Sequence, residues 1–121
     1  MKVRCVRLIG NDGNPKDKSV WLTIGNIYHV LSVEQGTDRR WMLRLMGDEP
    51  NGLALFQLQQ FEIVSSKIPD SWIIVWPKDN FFVLRPGSWN QVGFLERYYD
   101  KDPDAIRLFE EERQKIIAAD P

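Results

Sequence analysis

The sequence predicts a single, mainly β domain with helices at its C-terminal end, an α+β fold. Residues 1–64 contain five short β-type segments separated by Gly, Asn and Asp turns, and helical patterns begin only beyond residue 88. The 121 residues match the size of one domain, so 1–121 is expected to fold as a unit. Five short strands favour a small antiparallel barrel, because closure removes most exposed strand edges.

Alternation of apolar and polar side chains predicts the barrel strands. They are expected at residues 2–8, 27–34, 39–46, 53–58 and 61–64. In the third strand, alternate residues share a face: Trp41, Leu43 and Leu45 face one way, and Arg40, Met42, Arg44 and Met46 face the other. The Gly-, Asn- and Asp-rich segment 9–19 predicts a long polar loop between the first two strands.

The extension 65–121 has a different pattern. The apolar runs 72–76 and 81–84 are joined by four turn residues, which predicts a β-hairpin over 72–84. The run from Trp72 to Trp76 is apolar at every position, so both faces of this strand are expected to be covered.

Two helices are predicted to end the chain and pack on the barrel. Ser88 and Gln91 have the spacing of a capping box, which predicts a helix over about 89–99, weakened by Gly93. Asp102 and Pro103 form a second helix start, because Asp accepts hydrogen bonds from the first turn and Pro needs no acceptor there.

The second helix is expected to span 103–118. Its inward stripe is predicted to contain Ile106, Phe109, the stem of Arg113, Ile116 and Ile117. On the outer face, Asp104 and Arg107, and Glu111 and Lys115, are spaced to form ion pairs.

Three segments resemble the small SH3-like domains of bacteria and their phages, most of which are uncharacterised. They are Lys2–Cys5, the Leu-Thr-Ile-Gly-Asn-Ile-Tyr-His-Val segment from Leu22 to Val30, and the Phe-Glu strand at 61–64. The resemblance covers residues 2–64 and implies an SH3-like five-stranded barrel. Asn26 stands where this family usually has Lys, and the loop 9–19 is longer than usual. The family has no agreed catalytic residues, so the resemblance implies no site.

Composition limits the class of partner and the compartment. The 16 basic and 17 acidic residues nearly cancel, whereas duplex nucleic-acid binders usually have a basic excess. Cys5 is the only cysteine, so an internal disulfide is impossible and a reducing compartment is indicated. The alternating first eight residues lack the apolar run of a signal peptide, and the run 72–76 is too short to cross a bilayer. A cytoplasmic protein without membrane contact is expected.

The residue types needed for catalysis or metal binding are scarce, and we expect neither an enzyme nor a cofactor. Any nucleophile–base pair would have to use His29, which lies within a predicted strand, and Cys5 is expected to be a buried apolar residue. One Cys and one His cannot form a structural zinc site. The acids around Pro103 fit a helix cap better than a calcium loop. The helical acids Glu96 and 110–112 are typical of a solvated face.

Aromatic residues and an uneven charge distribution point instead to surface recognition. The chain contains five Trp, six Phe and three Tyr, and large rigid aromatic side chains commonly anchor interfaces. Residues 61–121 hold 8 basic and 11 acidic side chains, which would suit a basic partner. The candidate partner-binding residues are Trp72, Trp76, Asp100, Asp102, Asp104, Glu110 and Glu111.

Three functions are consistent with these patterns. The chain is similar in size and composition to small immunity proteins that neutralise bacterial toxin domains, which is the preferred hypothesis. A second is an SH3-like nucleic-acid-binding or phage-related accessory protein, in which basic and aromatic side chains would bind single strands together. Its candidate residues are Arg4, Arg7, Arg39, Arg40 and Arg44, with Tyr28 and Trp41 as stacking surfaces. The third is an enzyme using His29. The hairpin 72–84 could also pack against a second copy of the chain.

Overall fold

A computed structural model describes residues 1–36, 38–50, 52–76 and 82–121. The strands in these residues are Lys2–Cys5 (β1), Ile27–Gln35 (β2), Trp41–Met46 (β3), Leu53–Gln57 (β4), Phe61–Ser65 (β5), Trp72–Val75 (β6) and Val83–Pro86 (β7). The helices are Phe94–Tyr99 (α1) and Pro103–Ala119 (α2), and 3-10 turns cover Leu58–Gln60 and Gly87–Trp89. The predicted combination of a mainly β fold with C-terminal helices is therefore confirmed.

All strands pair antiparallel around the long strand β2. The main path of the sheet runs β4-β3-β2-β1-β5, while β7 pairs with β2 and with β6. One edge of β2 pairs with β1 at 27–29 and then with β7 at Val33 and Glu34, whereas β3 runs along the other edge. Because β2 has two successive partners on one edge, the sheet divides there into two arms. One is formed by β1 and β5, the other by β7 and β6.

The predicted closure of five strands into a barrel is not found. Within the described ranges β5 pairs only with β1, and β4 pairs only with β3, so the sheet stays open between β4 and β5. The 3-10 turn Leu58–Gln60 joins these two strands directly and turns the chain out of the ladder. The first strand is also shorter than predicted, because the N–H groups of Val6 and Arg7 donate to the carbonyl of Gln60.

The core has one part inside the bent sheet and one under the helices. Val3, Cys5, Val30, Leu43 and Leu45 are fully buried. The burial of Leu43 and Leu45, but not of Met42, Arg44 and Met46, confirms the alternation predicted for β3. Under the helices, Trp89 stacks on Phe94 and Phe109 with ring centroids 6.1 and 4.8 Å apart, and Tyr98 contacts Phe109 at 4.3 Å. Stacked aromatic rings thus join the end of the hairpin to both helices.

The first helix begins later than the capping-box pattern predicts. The segment expected as a helix over 89–99 is a 3-10 turn followed by α1, and Gly93 is the N-cap with a φ of 71°. Glycine adopts this left-handed conformation without a steric penalty. The side chain of Gln91 donates to the carbonyl of Ser88 at 3.2 Å and does not cap the helix. The predicted capping box is therefore wrong.

The cap predicted for the second helix is confirmed. The carboxylate of Asp102 accepts a hydrogen bond from the N–H of Asp104 at 2.9 Å, and Pro103 occupies the first turn. The predicted inward stripe is wrong at Ile106, which is 39% exposed. The buried residues are Ala105, Phe109, Glu112 and Ile116. The stacking of Phe109 determines which face of α2 is buried. This face contains the small residue Ala105, which lets the helix backbone lie close to the core, and Ile106 lies beside it.

A polar network fastens the end of the long β1–β2 loop to the β3–β4 turn. Asp48 accepts hydrogen bonds from the hydroxyls of Thr23 at 2.6 Å and Tyr28 at 2.8 Å, and its N–H donates to the carbonyl of Trp21. A Cβ on Gly47 would lie 2.7 Å from the same carbonyl oxygen, so this close approach requires glycine.

The hairpin is formed by β6 and β7, in register from Trp72 opposite Pro86 to Val75 opposite Val83. The predicted hairpin turn at 77–80 lies outside the described residues, as do Thr37 and Asn51 of two other predicted turns.

Candidate functional site

Four strand ends meet side by side at one end of the sheet. Gln35 of β2 is paired with Trp41 of β3, and its N–H donates to the carbonyl of Phe82 at 2.8 Å. The ladder of β6 and β7 places Trp76 opposite Phe82, one step beyond the last paired residues. The order across the sheet is thus Trp41, Gln35, Phe82 and Trp76, and we call the three aromatic residues of this set the aromatic row.

The rings of the aromatic row contact one another edge to face. The ring centroids of Trp41 and Phe82 are 5.6 Å apart at 64°, and those of Phe82 and Trp76 are 5.4 Å apart at 76°. Such pairs contribute about 0.5–1.5 kcal/mol beyond area burial. Trp76 is nevertheless 72% exposed and Trp41 41% exposed. The row therefore offers large apolar surface on side chains that already hold each other in place.

The aromatic row continues the inner face of the sheet beyond the part that is covered. The neighbouring register row runs from Leu43 through Val33 and Leu84 to Ile74. Along it Leu43 is fully buried, while Ile74 at the other end is 58% exposed. The inner face of the arm formed by β6 and β7 is thus exposed towards the end where Ile74 and Trp76 lie.

The two tryptophans predicted to bind a partner are separated by the structure. Trp72 is buried in the core, whereas Trp76 lies in the exposed aromatic row. The prediction that both faces of this strand are covered is wrong, because Ile73 is 40% exposed and Ile74 and Trp76 are more so. The hairpin packs at the Trp72 end and projects at the Trp76 end.

The turn before β3 orients Trp41. The N–H of Gly36 donates to the carbonyl of Arg40, and the side chain of Gln35 donates to the carbonyl of Arg39 at 3.1 Å. Arg40 pairs with Asp38 at 3.0 Å, and both are solvent-exposed. These charges form a polar rim beside Trp41, the arrangement that is typical of protein interfaces.

The acidic residues predicted to bind a partner lie apart from the aromatic row, on and before α2. Asp102 caps the helix, and Arg107 pairs with Asp104 at 4.0 Å, as predicted, and with Glu111 at 3.2 Å. Lys115, the predicted partner of Glu111, instead pairs with Glu112 at 3.9 Å.

The remaining two acids complete this picture. Glu110 pairs with Arg113 at 2.7 Å, and Asp100 is exposed beyond α1. Pairing within the helix neutralises much of the predicted acidic surface, so this face matches an ordinary solvated helix.

The residues considered for nucleic-acid binding do not form one surface. Arg4 pairs with Glu62 at 2.7 Å, and Arg7 donates to the carbonyl of Gln59. Tyr28 is buried with its hydroxyl on Asp48, so its ring is not open for stacking.

Arg44 lies on the opposite face of β3 from Trp41. Its side chain is 12% exposed, pairs with Glu34 at 3.7 Å and contacts the hydroxyl of Tyr99 at 3.4 Å. Arg39 and Arg40 are the two members of the set beside the aromatic row.

His29 takes part in a polar cluster that attaches the segment after α2 to the sheet. Its Nε2 lies 2.7 Å from the carbonyl oxygen of Asp120. The carboxylate of Asp120 accepts a hydrogen bond from Ser65 at 2.6 Å and pairs with the amino group of Met1 at 3.1 Å and Lys2 at 3.9 Å. The Ser65 hydrogen bond is the main cause of a lowered Asp120 pKa, and the positive charges add to it.

Cys5 is fully buried on β1, as predicted, and burial raises the pKa of its thiol. A raised pKa disfavours the nucleophilic thiolate. The position of Cys5 is thus that of a small core residue.

Apart from the aromatic row, a concave surface lies on the side of the long β1–β2 loop. It is a groove of about 200 Å³ between that loop, β3, β4 and the first 3-10 turn. Trp21, 41% exposed, packs edge to face on Phe56 at 6.4 Å in its wall. Gln57 and Gln60 hydrogen-bond the backbone of Gly10 and Ile9, which fixes the loop over the groove.

Nothing in the sequence marks Phe82 or Ile74 as a surface residue. Their strands are recognisable from the sequence, but the pairing of β7 with β2 is not, and it is this pairing that aligns Trp41, Phe82 and Trp76.

In the part of the chain that is described, no helix has the length and apolar character needed to span a membrane. The same residues contain no group of three His, Cys, Asp or Glu side chains arranged to hold a metal ion. Comparison of the chain with family models, curated protein sequences and solved structures gave no match.

Proposed function

We propose that this chain is a non-enzymatic protein-binding domain that acts in the cytoplasm. In its most specific form it is a bacterial immunity protein that binds a toxin domain and neutralises it. One observation carries the proposal: the aromatic row is mutually packed, yet 72% of Trp76 remains exposed. Trp side chains bury large area with few rotatable bonds, so they are favoured anchors of protein interfaces.

The architecture supports a binding role for this end of the sheet. The five strands predicted for the barrel are all present as antiparallel neighbours, which supports an opened form of the SH3-like architecture that the resemblance implies. In this arrangement the β6–β7 arm is an addition to the five strands. Its inner face is apolar and its neighbouring turn is charged, so it provides an apolar centre with a polar rim.

The expected partner is a protein with a complementary apolar patch. A basic partner, which the acidic residues of α2 would attract, receives less support because Arg107 and Arg113 already pair with three of those acids. Nucleic-acid binding is the alternative, with Arg39, Arg40 and Trp41 as the remaining candidate residues. Steep salt dependence of oligonucleotide binding would distinguish it from protein binding.

The test is binding to the toxin domain encoded next to this chain, by calorimetry and by protection of cells. Trp76→Ala and Trp41→Ala are each expected to weaken the complex by about 30-fold or more, the effect of losing an interface anchor. Trp21→Ala is the matched control, because Trp21 is also 41% exposed and also packs edge to face on a Phe. Unchanged affinity in both row variants, or a loss confined to Trp21→Ala, would place binding elsewhere and refute the proposal.

A further inference from the structure

The outer edge of β6 lacks the features that protect the other strand edges. In the described ranges β6 pairs with β7 alone, and Trp72–Val75 and Trp76 contain no charged residue and no proline. The edge of β5 carries Glu62 and is bound at Ser65 by Asp120. The carbonyl of Leu53 on β4 accepts the hydroxyl of Tyr99. Natural sheets protect their edges with charges or covering groups. On β6 only the first residue is covered, because the N–H of Trp72 donates to the carbonyl of Pro69 at 3.1 Å, and no charged residue follows it up to Trp76.

The ladder places the backbone groups of Ile74 on this open edge. The N–H of Gly87 donates to the backbone carbonyl of Ser71, so the backbone N–H and C=O of Ser71 point towards β7. In an antiparallel ladder the backbone groups of every second residue bond to the same neighbouring strand. The N–H and C=O groups of Ile73 and Val75 therefore also face β7. The N–H and C=O of Ile74 therefore face away from β7, with its side chain 58% exposed beside them.

From this arrangement we infer that β6 pairs with β6 of a second copy of the chain, antiparallel and across a twofold axis at Ile74. In that register Ile74 lies opposite Ile74, Ile73 opposite Val75, and Trp72 opposite Trp76. Every cross-strand pair is apolar, so no like charges meet, as they would if the charged edge of β5 paired with itself.

The twofold register also accounts for the outward backbone groups. Two Ile74 residues facing each other exchange both N–H···O bonds, which satisfies the groups that β7 leaves open. The exposed inner face of the β6–β7 arm would continue into that of the second copy. An interface with the same patch on both sides closes as a dimer and does not propagate.

The inference goes beyond the proposed function and is independent of it. Toxin binding is assigned to the side chains of the aromatic row, whereas dimerisation depends on the edge of β6 centred on Ile74. A chain that remains monomeric could still bind a toxin, and a dimer could form without any toxin partner. The two ideas can therefore fail separately.

Sedimentation equilibrium of the full chain from about 5 to about 500 µM tests the inference, because a short edge pairing gives weak association. The expected result is a monomer–dimer equilibrium that Ile74→Lys weakens at least tenfold by placing two charges opposite each other. Ile24→Lys is the matched control, because Ile24 is also 58% exposed, and it should leave association unchanged. Circular dichroism confirms that both variants fold.

A charge-swap experiment tests the register itself. Ile74→Lys and Ile74→Glu should each be monomeric, and mixing them should restore a dimer, because opposite charges then meet at the twofold axis. Exchange of the Ile74 amide hydrogen in the unmodified chain should slow as concentration rises. Any of four results would overturn the inference. The unmodified chain could stay monomeric over the whole concentration range or form assemblies larger than a dimer. Ile74→Lys could associate as strongly as the unmodified chain, or the mixture of the two variants could fail to associate.

Discussion

Replacement of Phe109 by Ala tests together the phase of α2 and its packing against α1 and the 3-10 turn Gly87–Trp89. Phe109 is 1% exposed and contacts both Trp89 and Tyr98. Truncation of a buried Phe costs about 3–5 kcal/mol, because apolar contacts are lost and a cavity remains. Loss of two aromatic contacts places the expected cost in the upper part of this range, about 4–5 kcal/mol.

Ile106→Ala is the matched comparison on the same helix. Full burial of an Ile side chain is worth about 1.5–3 kcal/mol, and Ile106 is 39% exposed. Ala also has the higher helix propensity, by a few tenths of a kcal/mol. The expected net cost is therefore about 0.5–1 kcal/mol.

Urea unfolding followed by tryptophan fluorescence measures both variants. With a slope of about 1–3 kcal/mol/M, Phe109→Ala should lower the midpoint by about 2 M and Ile106→Ala by about 0.5 M or less. If Phe109→Ala does not fold, Phe109→Leu should still lower the midpoint more than Ile106→Ala. Equal shifts, or a larger shift for Ile106→Ala, would show that Ile106 and not Ala105 faces the sheet and would refute the helix phase.

Three further outcomes are expected. Gly47→Ala should destabilise the chain by about 1–3 kcal/mol in urea unfolding, because the new Cβ meets a loop carbonyl at 2.7 Å. Gly87→Ala, whose Cβ would make ordinary contacts, should be neutral or stabilising; the reverse order would contradict the loop packing. The pKa of Asp120 is lowered in the folded chain, so its stabilisation is present above the unfolded pKa near 4 and is lost as pH falls below it. Ser65→Ala should therefore move the acid-unfolding midpoint to higher pH, and an unchanged midpoint would argue against that hydrogen bond. Burial raises the pKa of Cys5, so a thiol reagent at neutral pH should react slowly with the folded chain and rapidly in denaturant; fast reaction with the folded chain would contradict the burial.

Local signals in the sequence predicted several features that depend on neighbouring residues, although the capping box expected from Ser88 and Gln91 was wrong. The alternation around Leu43 and the Asp102 cap depend on side-chain period and on hydrogen bonds within one turn, and both were predicted. Residues whose environment depends on distant partners were not predicted. The phase of α2 depends on the stacking of Phe109 against Trp89, which belongs to another element.

The candidate site shows the same division between local and distant information. That Trp72 and Trp76 belong to one strand follows from composition, but their exposure depends on where the hairpin docks. Pairing of Val33 with Leu84 anchors β7 on β2, and at the far end of the hairpin Ile74 and Trp76 are exposed. No pattern within 72–86 encodes that docking position, so the burial of Trp72 and the exposure of Trp76 could not be told apart from the sequence.

The long strand β2 has a consequence for how the molecule forms and opens. Its pairing with β7 brings together Val33 and Leu84, which are about 50 residues apart in the chain. Closing a loop of this length costs conformational entropy before the strand contacts form. Folding should therefore be slow for a chain of this size, in the range of milliseconds to seconds that non-local β pairing produces. Since Val33 and Glu34 of β2 pair with β3 on one edge and with β7 on the other, fraying of the outer strands β4, β5 or β6 should leave the amides at this point protected.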